Sequence, residues 1–296
     1  MLTIDVIALM TAPFESYWNE SIMKRAIDAG LVECHITNLR EFTTDRHNTV
    51  DDMPYGGGVG MVMKPEPIFR AVEAMKKGIR GSDVECYMKC SQNVEIEEDV
   101  SNRTALNDNC EKPDEYQDIS DWDGIKKKVI VLAPTGERFT QKIAEKLSKC
   151  DHLIFICGRY EAMDERVHDG IVDMELSMGD YILTGGELAA LSVIDSTVRL
   201  IPGAIGGEGA IDSESFSCGY LEYPQYTRPP IFRGMAVPEV LLSGNHKKIE
   251  KYRITEGLRR TIKRRPDLID RDNLSSSEMS ILDSLLKDSV DISNRD

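Results

Sequence analysis

Short apolar runs separated by segments of helical spacing order the first two-thirds of the chain. Thr3–Leu9 (TIDVIAL) is apolar and β-branched and reads as a buried strand. The stretch 13–31 carries apolar positions at Ile22, Ala26 and Leu31, a helical spacing, and 32–39 (VECHITNL) reads as a second strand. A polar, glycine-rich loop over 41–61 leads into a helix over 65–77 with proline in its first turn. A loop of that length is uncommon in a compact domain unless it carries function. The order β, α, β, loop, α predicts an α/β domain on a mainly parallel sheet.

The pattern then breaks. Residues from about 78 to 124 are acidic, rich in Asn, Ser and Asp, and poorly periodic, the composition of an irregular insertion. Order resumes with a strand and turn over 126–136 (KKKVIVLAPTG), a helix over 141–150, and strand–turn–helix units over 151–169 and 171–202. Three apolar strands each end at a turn: Pro134–Gly136, Gly158 and Met178–Gly186. Ligands of open α/β sheets sit beyond the carboxyl ends of strands, so these turns are expected to converge on one pocket. The stretch 203–219 is Gly- and Ser-rich, and helical patterns over 237–269 and 275–290 follow, with Ser276 and Glu278 placed to cap the last helix. The expected organisation is an α/β cofactor-binding domain over 1–205 with an acidic insertion at about 78–124, a linker over 206–217, and a helical domain over 218–296.

Charge alters this picture more than composition does. The chain carries a net charge of −15, which argues against a nucleic-acid partner until its distribution is considered. The stretch from Ser82 to Gly124 carries −10, whereas His246–Arg265 carries +7. Such a basic run is either a solvated helix face or a phosphate-contacting surface, and in an acidic protein the second reading gains weight. The seven cysteines are scattered, and Cys86 and Cys90 lack a second pair or a nearby His, so no metal site is expected. The opening residues lack a secretory pattern and no apolar stretch is long enough to span a membrane, so a cytoplasmic protein is expected.

The chemistry open to such a chain is narrow. No G-x-G-x-x-G, P-loop, HExxH or GxSxG pattern occurs. Tyr55–Met61 (YGGGVGM) reads either as a flexible loop or as a close backbone approach to a ligand, involving Tyr55, Gly57 and Gly58. The segment 158–166 (GRYEAMDER) reads as a salt-bridged helix start or as a site. Tyr181, between small turns, reads as core or as pocket. Unaided, the residues describe an α/β enzyme with a small-molecule pocket and a nucleic-acid-facing tail, without naming the reaction.

In their order, PYGGGVGM, CGRYEAMDER, MGDYILTGGEL, VRLIPG and EYPQYTRP resemble the bacterial tRNA (guanine-N1)-methyltransferases over about 1–77 and 128–275. That resemblance implies a SPOUT-type sheet, with the chain from about 128 to 191 in a deep trefoil knot, followed by a small helical C-terminal domain. It implies a homodimer, a tRNA substrate contacted by residues including Lys247 and Arg253, S-adenosylmethionine as methyl donor, and a magnesium requirement. The methyl donor would be held by Pro134, Gly136, Gly158, Glu161, Met178, Gly179, Asp180, Tyr181, Ile182, Leu183, Gly185 and Gly186. The reaction methylates N1 of the guanosine immediately 3′ of the anticodon. Because N1 carries a proton, a base is required.

The family supplies that base from an Asp in its linker, and Arg199 matches its purine-contacting arginine. Where the family usually reads DSF, this chain has Glu214-Ser215-Phe216. Glu is chemically competent, with an ordinary pKa within about half a unit of that of Asp, and Asp212 is the rival. LAPTG also stands where the family more often has LSPQG. Ala133 and Thr135 are therefore expected to remove polar groups near the adenosine, at a cost of about one hydrogen bond, ~1 kcal/mol.

Overall fold

A computed structural model describes residues 1–92, 126–206, 214–216 and 219–293, in two compact units, Met1–Ile205 and Gly206–Asp296. The first unit runs β1 (Leu2–Ala8), α1 (Ala12–Trp18), α2 (Ser21–Asp28), β2 (Val32–Asn38), β3 (Asp51–Asp52), β4 (Val62–Met63), α3 (Pro65–Lys76), α4 (Asp83–Gln92), β5 (Lys127–Arg138), α5 (Gln141–Leu147), β6 (His152–Ile156), β7 (Ala162–Met163), α6 (Glu165–Ile171), β8 (Met174–Ser177) and α7 (Glu187–Val198). Five strands form a parallel sheet in the order β2-β1-β6-β5-β8, the α/β class expected from the apolar runs.

Both sheet faces are covered, because successive strand residues point to opposite sides. Leu153 and Phe155 join Phe14, Trp18, Met23, Ile143, Leu147 and Val193 in one core. Ile154 and Ile156 join Ile68, Val72, Met75, Val84 and Val167 in the other. Helices α1, α2, α5 and α7 thus cover one face, and α3, α4 and α6 cover the opposite one.

One charged cluster interrupts this packing. The Asp5 side chain on β1, only 1% exposed, accepts bonds from Arg80 Nε at 2.7 Å and Nη2 at 2.6 Å. Its Oδ2 also lies 2.6 Å from His152 Nε2 on β6. Burial alone would raise the Asp5 carboxyl, but the Arg80 guanidinium and the His152 ring outweigh it and hold it below the ordinary range.

The sequence reading needs correction at several elements. The helical stretch 13–31 breaks at Asn19–Glu20: Asn19 Nδ2 donates to the Glu15 carbonyl at 2.7 Å and Glu20 is extended. Two short helices then bury Phe14 and Trp18 as well as Met23 and Ala26. The irregular segment does not begin at 78, because Asp83–Gln92 is helical and buries Val84 and Met88 in the second core. The rest of that segment, over 93–125, lies outside the described residues.

In the second unit, the region thought short of strands holds a hairpin, β9 (Ile231–Phe232) and β10 (Met235–Ala236). Helices α8 (Glu239–Leu242), α9 (His246–Arg264) and α10 (Ser276–Ser293) follow, with Tyr220, Leu258 and Leu282 buried as a small core. The cap of α10 is Ser275 rather than Ser276. Ser275 N donates to Glu278 Oε2 at 2.8 Å and Glu278 N donates to Ser275 Oγ at 3.3 Å, a reciprocal capping box.

Candidate active site

Beyond the carboxyl ends of β5, β6 and β8 lies a pocket of about 500 Å³ lined by residues of all three strand-end turns. The first turn is a loop thrown out of a continuous strand. Leu132 and Glu137 of β5 both pair with Leu176 of β8, so the intervening residues leave and rejoin the ladder at one place. Gly136 makes this possible, since a Cβ there would lie 2.5 Å from the Glu175 carbonyl carbon and the Leu176 nitrogen. Gly136→Ala is therefore expected to cost about 1–3 kcal/mol by overpacking, seen as a lower denaturant midpoint at unchanged slope.

The second turn leaves β6 at Cys157, whose N–H donates to the Ile7 carbonyl at 2.9 Å. The Cys157 thiol is wholly buried, and burial pushes its pKa well above the ordinary value, so it is a protonated packing group and not a nucleophile. Arg159 Nε lies 2.7 Å from Glu187 Oε1, a carboxylate 4% exposed at the start of α7. The Glu161 N–H donates to the Met61 carbonyl at 3.1 Å, and Gly60, at φ 87°, packs against the Glu161 side chain. The end of the glycine-rich loop therefore reaches the pocket wall. The third turn is tied to the second by Gly186 N–H donating to the Gly158 carbonyl at 2.9 Å.

Of the residues singled out in the sequence, Pro134, Gly158, Glu161, Met178, Gly179, Tyr181, Ile182, Leu183, Gly185 and Gly186 line this pocket. Gly136 packs behind it and Asp180 is not among its walls. Tyr181 is 57% exposed, so it is not core. Tyr55, Gly57 and Gly58 are exposed, away from the pocket lining. Arg199 is the C-cap of α7 and is also not part of that lining. Glu214 lies in a short described turn and is half-buried, and Ser215 Oγ beside it accepts from Glu222 N at 3.0 Å. Asp212 lies outside the described residues.

GRYEAMDER divides between its two readings. All of it except Asp164 and Arg166 lines the pocket. Asp164 caps α6, accepting from Arg166 N at 3.0 Å, and the Arg166 guanidinium holds its carboxyl below the ordinary range. Sequence reasoning missed Arg159, His168 and Glu175 as wall residues. Arg159 sat within a motif already singled out, but no spacing pairs Glu175 with residues 40 positions earlier and seven earlier.

In the second unit, α9 displays the basic run. Lys247 and Arg253 are exposed, and the Arg253 guanidinium lies 4.9 Å from the centre of the Tyr223 ring. Arg259 pairs with Glu256 and Arg265 with Asp267, leaving a surface that is still strongly positive. Among the described residues no helix is long and apolar enough to cross a membrane.

A parallel α/β sheet whose strand-end turns line a pocket of about 500 Å³ defines the class: an α/β protein with a small-molecule-sized pocket at the carboxyl ends of its strands. The model of the family described as tRNA (Guanine-1)-methyltransferase TrmD matches residues 2–97 and 111–271. A tRNA (guanine-N(1)-)-methyltransferase from Dictyoglomus turgidum is 44% identical over 288 residues, 97% of this chain and 98% of its own length. Proteins of the same name from Dehalococcoides mccartyi and Bacillus cereus are 43% identical over 285 and 284 residues, covering 96% of this chain and 97% and 98% of their own lengths. The chain belongs to the tRNA (guanine-1)-methyltransferase family.

Proposed function

We propose that the protein methylates N1 of the guanosine immediately 3′ of the anticodon of tRNA, with S-adenosylmethionine as methyl donor. One observation carries the reading: the motif turns through which the family is recognised meet in one pocket of about 500 Å³. Its fit to the donor is chemical. Residues of three turns line it, among them Glu161 and the apolar Met178 and Leu183, a mixture suited to an adenosine and a charged amino-acid moiety.

Bound there, S-adenosylmethionine supplies an electrophilic methyl group. The chain's own residues do the rest. Arg199 orients the purine. N1 of guanine gains the methyl group and gives its proton to the Glu214 carboxylate, with Asp212 the alternative acceptor. The reading includes a homodimer in which the second copy supplies that carboxylate, and a cytoplasmic enzyme. Lys247 and Arg253 contact tRNA phosphates, and Tyr55, Gly57 and Gly58 belong to the substrate side. It also includes the trefoil path over 128–191. Among the described residues no group of three His, Cys, Asp or Glu is arranged to hold a metal ion.

Methyl incorporation tests this directly. Unmodified tRNA with G after the anticodon is expected to be labelled, and the same tRNA carrying A there is not. Equal labelling of both refutes the substrate assignment.

A further inference from the structure

The pocket contains a carboxylate that no turn motif accounts for. Glu175 stands on β8, immediately before the residue at which the first turn leaves and rejoins the ladder. Both of its oxygens are engaged. Thr135 Oγ1, in the first turn, donates to Oε2 at 2.6 Å. His168 Nδ1, on α6, lies 2.5 Å from Oε1. The three side chains are all pocket walls, and Glu175 and His168 are only 18% and 16% exposed. Gly136, the residue after Thr135, rests directly on the Glu175 backbone. One residue therefore holds the turn from below through its main chain and sideways through its carboxylate, while anchoring the helix on the other wall.

We propose that Glu175 is a positioning residue: through Thr135 it fixes the first turn at the height at which backbone groups of 133–136 can meet the cofactor, and through His168 it makes that turn and α6 one rigid wall. The inference rests on the reading of the pocket as the S-adenosylmethionine site. Thr135 keeps a polar group that is spent on the pocket frame, where it preorganises the loop. A turn that projects from a strand over four residues has many alternative conformations, and a short bond to a charged acceptor removes most of them.

The test uses the full chain and S-adenosylmethionine, with calorimetric affinities and steady-state methyl transfer at saturating tRNA. Thr135→Val and Glu175→Ala are each expected to weaken cofactor binding about tenfold, the effect of one hydrogen bond to a charged group. KM for the cofactor should rise in parallel, with kcat at saturating cofactor within about twofold. Thr135→Ser should recover at least half of the affinity lost in Thr135→Val. The double variant should be no weaker than Glu175→Ala alone, because the two side chains act as one unit. If Glu175→Ala does not fold, the Thr135 pair decides alone. A Thr135→Val protein that binds the cofactor as wild type does, or that loses kcat at unchanged affinity, overturns the positioning role. Wild-type protein that binds no S-adenosylmethionine overturns the pocket reading itself, so the two failures are distinguishable.

Discussion

Glu214→Gln is expected to lower methyl transfer by about a hundredfold or more, the usual contribution of a positioned general base, while cofactor affinity stays within about twofold. Gln keeps the length and hydrogen-bonding capacity of Glu but has no basic oxygen to accept the N1 proton at neutral pH. The split between lost kcat and retained binding separates a proton acceptor from a residue that shapes the linker, whose loss would also disturb the Ser215–Glu222 contact at 3.0 Å. Asp212→Asn is the companion measurement and should leave the rate nearly unchanged. If Asp212→Asn alone removes activity, the base has been misassigned by two positions.

The second large effect concerns the interior. Asp5→Ala is expected to destabilise the first unit by about 3 kcal/mol, the lower end of the cost of breaking a buried ion pair. The lower end applies because Arg80 is 22% exposed and can be rehydrated once its partner is gone, whereas Asp5 is 1% exposed. The effect depends on pH with a definite sign. A carboxyl held below its unfolded value contributes its stability in full above that value and loses it as pH falls through the folded one. With an ordinary value of 3.8, the gap in denaturant midpoint between wild type and Asp5→Ala should narrow below about pH 4. A gap that does not narrow as the pH falls below about 4 contradicts the arrangement of Arg80 and His152 around this carboxylate. Arg80 lies just before α4, so the same bond ties the loop ahead of that helix to the central sheet.

How much of this was legible in the sequence depends on the range of the interaction responsible. Strand β6 and the core of β5 announce themselves as apolar runs, as does β1 apart from Thr3 and Asp5, because both sheet faces are buried, and burial on both sides leaves little room for polar residues. The turns were visible as glycine and proline punctuation, and their meeting in one place followed from strands running parallel. The basic face of α9 was visible as a charge run. Other features were set by distance in space. The break between α1 and α2 depends on a side-chain cap and on burying Trp18 and Met23 together, while the periodicity reads straight through it. The helix α4 was hidden by its acidic composition, because two buried side chains, Val84 and Met88, suffice to dock it.

The amino-acid sequence by itself determined the α/β class, the three turns and the family, since each is encoded in contiguous residues whose types are dictated by local burial or backbone geometry. Only the tertiary structure decided what the first turn rests on. The bond from Thr135 to Glu175 joins residues 40 apart in the chain, and the carboxylate of Asp5 meets a guanidinium 75 residues away. Nothing local distinguishes these residues from solvated ones. Their partners are selected by the order β2-β1-β6-β5-β8, which sets β1 beside β6 and β5 beside β8 although these strands are far apart in the chain, and by the low dielectric of the interior, which makes an unpaired charge there too costly to leave.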